Sequence, residues 1–385
     1  MKNSLAALTL TIGLSVLIAD SLVATAAPLQ KIEINSSSVG IDEQLWSSVE
    51  KPGDLQALLQ AIDHSLSYLN TPAAVKAYQN YSVAEFSVDR VRRSLTRFRQ
   101  LLLTAKSPYE LQQAVMAEFN FYQSVGNDNQ GTVAFTGYFE PVYQASAVPT
   151  EEYRYPLYRK PTNFSNWSQP HPSRLQLEGK DGLLGNKSIL AGSEIVWLRD
   201  RMEAFLVQVQ GSAKLKLTDG RTITVGYDGS TDYPYKSLGG ELVKEGIFTL
   251  EELTLPKLID YFKTHPEALD KYIPRNNRFI FFRETNGQLP TGSLNVPVTG
   301  DRSIATDKSI MPPGALGLIV APIPYPNQNG SLTIQNVNRY VLDQDTGSAI
   351  KGAGRVDIFL GSGQQAGDRA GLLNGTGKLY YLLLK

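Results

Sequence analysis

The sequence predicts a mainly β fold preceded by a block of helices, and three observations carry that prediction. Apolar residues recur at three- and four-residue spacing from Asp54 onward, the mark of helices with one buried stripe. Past Gly126-Asn127-Asp128-Asn129 the composition turns to short strands broken by Gly, Pro, Asn and Ser. Asp219-Gly220, set between KLKL and RTITVGY, is a strong hairpin signal, because both residues tolerate the positive φ of a type I′ turn.

Taken in order, residues 28–50 read as a polar, irregular lead-in. Leu55, Leu58, Leu59, Ile62, Leu66 and Leu69 then form one helical stripe. Thr71-Pro72 reads as an N-cap followed by proline at the first helical position, opening a short helix through Tyr78. A third helix, from Val88 to about Leu103, carries Val91, Leu95, Phe98 and Leu102 on its buried side. Its Arg90, Arg92, Arg93, Arg97 and Arg99 read as a solvated face in preference to a patch that attracts peptidoglycan. A fourth helix is expected over Pro108–Gln123, and all four read as scaffold. Thr132–Val142 is a strand in which Gly137 would let another backbone or a ligand approach. Residues 144–190 hold only short strands. Gly192–Ala204 reads as a helix capped by Ser193, and residues 205–210 as a strand with Gln208 and Gln210 outward. Further helices are expected near 240–246 and 249–263, and a strand over Asn276–Arg283. In GRVDIFLG, Val356, Ile358 and Leu360 share an apolar strand face and leave Asp357 and Phe359 on the other. A carboxylate beside an aromatic on a core-backed strand is placed as a catalytic acid would be; the same pattern also describes a surface strand with a solvated aspartate.

With 42% apolar and 19% charged residues over 385 positions, the chain can build an ample core and has room for two or three domains. Lys plus Arg equals Asp plus Glu at 37 each, so the charge balance gives no reason to expect nucleic acid as a partner. There is no cysteine, which excludes disulfides, thiol catalysis and cysteine-rich zinc sites. His64, His171 and His265 lie far apart without ligand spacing, and the short GAG and GSG runs at 352–354 and 361–363 are wrongly flanked for a nucleotide loop. No metal and no cofactor is therefore expected. Lys2, the apolar run Leu5–Ile18 and Ala24-Thr25-Ala26-Ala27 have the form of a secretory signal cleaved after Ala26 or Ala27, so export is expected.

Three aspartates stand at marked places near the C-terminus: Asp307 in SIATDKSIMPPG, Asp345 in DTGSAIKG and Asp357 in RVDIFLG. This pattern resembles the "three aspartates" region of the membrane-bound lytic murein transglycosylase A family. FTGYFEPV at 135–142, YPLYRKP at 155–161, FLVQVQGSAKL at 205–215, YKSLGGELVKEG at 235–246 and GQQAGDRAG after Asp357 resemble the same family in the same order. The resemblance runs from about residue 130 to the C-terminus. It implies a double-psi β-barrel domain, with residues 144–284 forming a second β domain inserted into it and a sugar groove between the two. Residues 28–143 and 285–385 would then contribute the two parts of the barrel domain. This sequence departs from the pattern by insertions around 325–331 and between Lys351 and Arg355. It also lacks the lipidated cysteine that many relatives carry, so a periplasmic or wall-associated protein without that anchor is expected.

The resemblance further implies a lytic transglycosylase acting on peptidoglycan glycan strands, with one carboxylic acid serving where ordinary glycosidases use two. Asp357 falls at the family's catalytic aspartate and takes the general acid/base role; to hold a proton near neutral pH it would need burial. Asp345 is assigned a supporting role, with an Asx turn in the DTG loop as the alternative. Thr136, Gly137, Tyr138, Gln208, Gln210, Ser212, Asp307 and Phe359 are the candidate sugar contacts, Asp307 also reading as a cap for the turn at Pro312-Pro313. The expected state is a monomer, with recruitment into a cell-wall enzyme complex left open. Three other readings stand against this one. A hydrolase would use Asp345 as a true second carboxylate, and a wall-binding protein would need no acid at all. An aspartic protease would need a second D-[TS]-G, which the chain lacks.

Overall fold

The ring of strands that carries Asp345 and Asp357, with Asp307 in the turn after one of its strands, is closed by segments far apart in sequence. The computed structural model describes residues 27–34, 40–47, 52–249 and 252–385; most of the secretory-signal segment lies outside them. The strands are β1 (Leu29–Ile32), β2 (Phe119–Ser124), β3 (Val133–Glu140), β4 (Val142–Ser146), β5 (Tyr155–Tyr158), β6 (Glu194–Leu198) and β7 (Ser212–Leu217). They continue with β8 (Thr222–Ser230), β9 (Ile280–Glu284), β10 (Ser303–Ala305), β11 (Leu316–Pro326), β12 (Leu332–Asp345), β13 (Arg355–Ser362) and β14 (Asn374–Leu384). One sheet has the order β1-β2-β14-β11-β12-β10-β13-β3, and β14 also pairs with β3, so six strands form a barrel with β2 and β1 added outside. Strands β3 and β13 run parallel, as do β10 and β12, while the other ring pairs are antiparallel. This is the double-psi β-barrel. The second sheet runs β5-β6-β4-β7-β8-β9, a parallel bridge between Arg159 and Phe282 brings its two end strands together, and all its strands lie in sequence between β3 and β10.

The helices are α1 (Leu55–Leu69), α2 (Pro72–Tyr78), α3 (Val88–Thr104), α4 (Pro108–Glu118), α5 (Arg174–Glu178), α6 (Arg201–Gln210), α7 (Leu238–Lys244), α8 (Leu255–Thr264), α9 (Leu269–Tyr272) and α10 (Gln364–Leu372). The predicted stripes are buried: Leu58 and Ile62 on α1, and Val91, Leu95, Phe98 and Leu102 on α3, join one core with barrel residues Phe135, Leu342 and Leu382. Thr71 caps α2 as expected, accepting from the Ala74 amide at 3.2 Å. Most of the arginines of α3 have partners: Arg97 pairs with Glu118, Arg99 with Asp63, and Arg90 donates to the Leu384 carbonyl, while Arg93 is exposed. Fully buried Arg302 donates to Asp42 at 2.6 Å and to Asp54, which also pairs with Arg339, tying the lead-in to the barrel.

Four expectations are corrected. The lead-in is not wholly irregular, since Leu29–Ile32 pairs antiparallel with β2. The fourth helix stops at Glu118, and Phe119–Ser124 becomes a strand because β14 offers it a ladder. Residues 192–204 are not one helix; Glu194–Leu198 is a strand between β5 and β4. Residues 205–210 are helix rather than strand. Asp200 accepts from the Met202 amide at 2.6 Å to start α6, and Gly211, at φ 81°, ends it in the left-handed conformation that glycine adopts without strain.

Candidate active site

Strand β13 places Asp357 by pairing on both edges. Its Val356, Ile358 and Leu360 are buried in the barrel core, which fixes the strand's register, and Asp357 projects from the other face. Parallel pairing sets Asp357 opposite Thr136 and Phe359 opposite Tyr138, and β10 sets Ala305 opposite Asp357 from the other side. The Asp357 Oδ1 accepts from the Thr136 hydroxyl and from Arg355 Nε at 3.0 Å, while Arg355 Nη2 donates to Thr136 Oγ1 at 2.9 Å. One oxygen of the carboxylate is thus clamped from two sides. Among the described residues no hydrogen bond reaches its Oδ2, and the side chain keeps 20% of its surface exposed.

Asp345 ends β12 and is held at both oxygens. Its Oδ2 accepts from the Tyr138 hydroxyl at 2.8 Å, and its Oδ1 from the amides of Ser293 and Thr346 at 2.8 Å each. Burial pushes this carboxyl above the usual carboxylate range, opposed by those three bonds and by the Lys308 charge. Lys308 sits beneath it, donating to the Asp345 backbone carbonyl and to the fully buried Asp343. The Tyr138 ring lies 5.2 Å from that of Phe359, so one tyrosine links the DTG loop to the strand of Asp357. Burial, with Asp345 beside it, pushes the Tyr138 hydroxyl well above its ordinary value, which keeps it a proton donor to Asp345.

Thr136, Tyr138, Asp345, Asp357 and Phe359 are therefore one constellation; the other candidates lie around it. Gly137 faces α10: a Cβ there would stand 2.9 Å from the Ala370 Cα and from Leu360, so the close approach it permits is helix packing. Asp307 accepts from the Ser309 hydroxyl at 2.6 Å, the Ser309 amide at 3.1 Å and the Gly352 amide at 2.9 Å. Burial would raise its carboxyl, but these bonds and Lys351 outweigh it and hold the group low. It braces the loop leading to β13. Gln208 and Gln210 do not line an outer strand face as expected. Gln208 is buried on α6 and accepts from Arg174 Nη2 at 2.6 Å, and Gln210 accepts from the Phe139 amide at 3.0 Å. Ser212 opens β7 and is buried.

A groove of about 880 Å³ runs between the second sheet and the barrel. Gln208, Tyr227, Tyr233 and Arg278 line one wall, and Ser293, Thr346, Ser348 and Lys351 the other. Of the candidates from sequence only Gln208 is in that lining, but Ser293 and Thr346 are the residues whose amides hold Asp345. Arg355 was missed by the sequence reading although a signal existed, since residues two apart on a strand share a face. Ser293 and Lys308 carried no such signal. Among the described residues no cluster of His, Asp or Glu could hold a metal ion.

Two family models match the chain: the MltA specific insert domain over residues 134–283 and the 3D domain over residues 302–383. Membrane-bound lytic murein transglycosylase A of Escherichia coli K12 is 34% identical over 263 residues, 68% of each chain. The homolog from Buchnera aphidicola is 28% identical over 299 residues, covering 77% of this chain and 79% of its own. Among solved structures, E. coli MltA with bound chitohexaose superposes with a TM-score of 0.70 at 27% identity, covering 93% of this chain and 94% of its own. A membrane-bound lytic murein transglycosylase from Agrobacterium tumefaciens superposes with a TM-score of 0.67 at 25% identity, covering 86% and 93%. On the extent of these matches, across both sheets and the strands that carry Asp345 and Asp357, the chain belongs to the membrane-bound lytic murein transglycosylase A family.

Proposed function

We propose that this protein is a lytic transglycosylase that cleaves peptidoglycan glycan strands between N-acetylmuramic acid and N-acetylglucosamine, with Asp357 as its single general acid and base. The observation that carries the reading is the asymmetric hold on Asp357: Oδ1 is fixed by Thr136 and Arg355, and Oδ2 is free to face a substrate oxygen. Family membership supplies the substrate class.

In this mechanism Oδ2 gives its proton to the bridging oxygen as the bond to muramic C1 breaks, and the N-acetylglucosamine leaves as an alcohol. The muramic C6 hydroxyl then attacks C1, and its proton returns to Asp357. The product is 1,6-anhydromuramic acid, with no water consumed and no cofactor required. Holding that hydroxyl against C1 replaces a bimolecular attack with an intramolecular one, an entropic advantage that needs no second nucleophile. Asp345 supports the reaction by fixing Tyr138, and through it the wall beside Phe359. A hydrolase with Asp345 as a second catalytic carboxylate is disfavoured, because both of its oxygens are already engaged by Tyr138, Ser293 and Thr346. The protein acts after export, in the periplasm or at the wall; among the described residues no helix is long and apolar enough to cross a membrane.

Digestion of purified murein sacculi and separation of the muropeptides by mass tests the reading. The expected products are anhydro muropeptides, one water lighter than hydrolytic ones, and Asp357→Asn should lower their release by at least about 100-fold. Reducing muramic ends from the wild type, or full activity of the variant, would overturn it.

A further inference from the structure

The groove between the two sheets carries more positive charge than its neighbourhood neutralises. Arg278 and Arg283 stand on the wall of the second sheet and Lys351 on the barrel wall, against a single acid in the lining, Asp232. Asp232 is already engaged, accepting from the His171 amide at 3.0 Å. Arg283 shares Asp228, at 3.8 Å, with Lys160, at 3.5 Å, so that one carboxylate serves two cations. Arg278 donates to a neutral acceptor, the Tyr233 carbonyl at 3.2 Å; the Lys351 charge acts on the Asp307 carboxylate behind the barrel wall, but among the described residues neither cation makes a direct ion pair. The whole chain has no net charge, with 37 basic and 37 acidic side chains, so two cations without a direct ion pair on facing walls are a local feature.

We infer that this groove selects glycan strands by the negative charge they carry, with Arg278 and Lys351 as specificity-determining residues that receive a carboxylate on the muramic 3-O-lactyl arm. A guanidinium matches a carboxylate in a two-pronged geometry, and an ammonium on a long flexible stem adapts to its position. Neutral N-acetylglucosamine oligomers carry no carboxylate for either cation to receive. The carboxylate has two sources: the free lactyl acid on strands stripped of peptide, and the acidic side groups of an attached peptide. The inference rests on the proposed substrate class but concerns binding, and so fails separately from it.

The test measures affinity with the Asp357→Asn protein, which turns substrate over only slowly on this reading, using four probes of equal length. These are chitohexaose, a stripped muramyl glycan with free lactyl carboxylates, and a peptide-bearing muramyl glycan with its peptide carboxylates either free or amidated. Both anionic glycans should bind more tightly than chitohexaose at low salt, and the difference should shrink as salt is raised. Arg278→Gln and Lys351→Gln should each remove about threefold to fivefold of that preference, read as the ratio of anionic-glycan affinity to chitohexaose affinity in the same variant. Loss of preference only when the peptide is amidated assigns the charge to the peptide; preference for the stripped strand assigns it to the lactyl arm. Either result supports the inference. Equal affinity for neutral and anionic strands, or a preference that survives in the double variant, overturns it. Should anhydro products be absent from the wild-type digest while the charge preference stands, the catalytic reading alone would fall.

Discussion

At the scale of single residues, the feature that matters most is that Asp357 is gripped by one oxygen. Thr136 both accepts from Arg355 and donates to Asp357, so its hydroxyl is the hinge of a three-membered arrangement. Thr136→Val keeps the shape and removes the hydroxyl, and it should lower kcat by about 10- to 100-fold with little change in KM or melting temperature. Thr136→Ser restores the hydroxyl and should restore most of the rate. A KM effect of the same size, or no rescue by serine, would mean that Thr136 holds sugar rather than the acid. Asp307, by contrast, is fully engaged with Ser309 and Gly352 and stands as a brace for the approach to β13.

Among the elements, α10 shows how glycines place a helix. Gly137 on β3 and Gly367 on α10 stand where a Cβ would meet the partner, Ala370 and Leu360 in one case and the Phe139 ring in the other. Gly137→Ala should push α10 away and cost about 1–3 kcal/mol, read as a lower denaturant midpoint with unchanged slope. The elements also mark where sequence was legible. Helices α1, α2 and α3 were readable because their stripes and caps are local features, and β13 because its alternation faces a core on one side only. Residues 205–210 misled because six residues alternating apolar and amide groups also fit a helix buried on most of its surface, and the deciding signals, Asp200 and Gly211, lay outside the run. Strands β1 and β2 were illegible for a different reason: their ladders come from each other and from β14, more than two hundred residues away. In the site, Asp357 and its strand face could be read directly, whereas the amide of Ser293 on Asp345 depends on a fold that no local pattern announces.

For the molecule as a whole, one half-buried acid outside the site couples stability to pH. Burial and then the neighbouring Asp200 push the Glu203 carboxyl up to about 7, against Arg199 and Lys263. The folded chain therefore holds a proton on Glu203 between its ordinary value of 4.5 and about 7 where the unfolded chain does not. Its stabilising share is complete below 4.5 and is lost as pH rises through 7, on the order of 2–3 kcal/mol. Glu203→Gln should flatten the thermal-stability profile across that window and leave the variant more stable than the wild type above it. A wild-type profile already flat from 4.5 to 7 would contradict the assignment.

The barrel's closure has a consequence for timing. Asp357 and the threonine that clamps it are separated by 221 positions, and β3 is locked into the ring by β14, the last strand of the chain. Contacts between such distant segments form late, since the whole intervening length must first be drawn together. A chain in which β14 has not yet docked thus has an open ring and an acid whose clamping strand is not locked in place. For a protein proposed to cut the wall that encloses its own cell, the scissors are assembled only when the last blade is fitted.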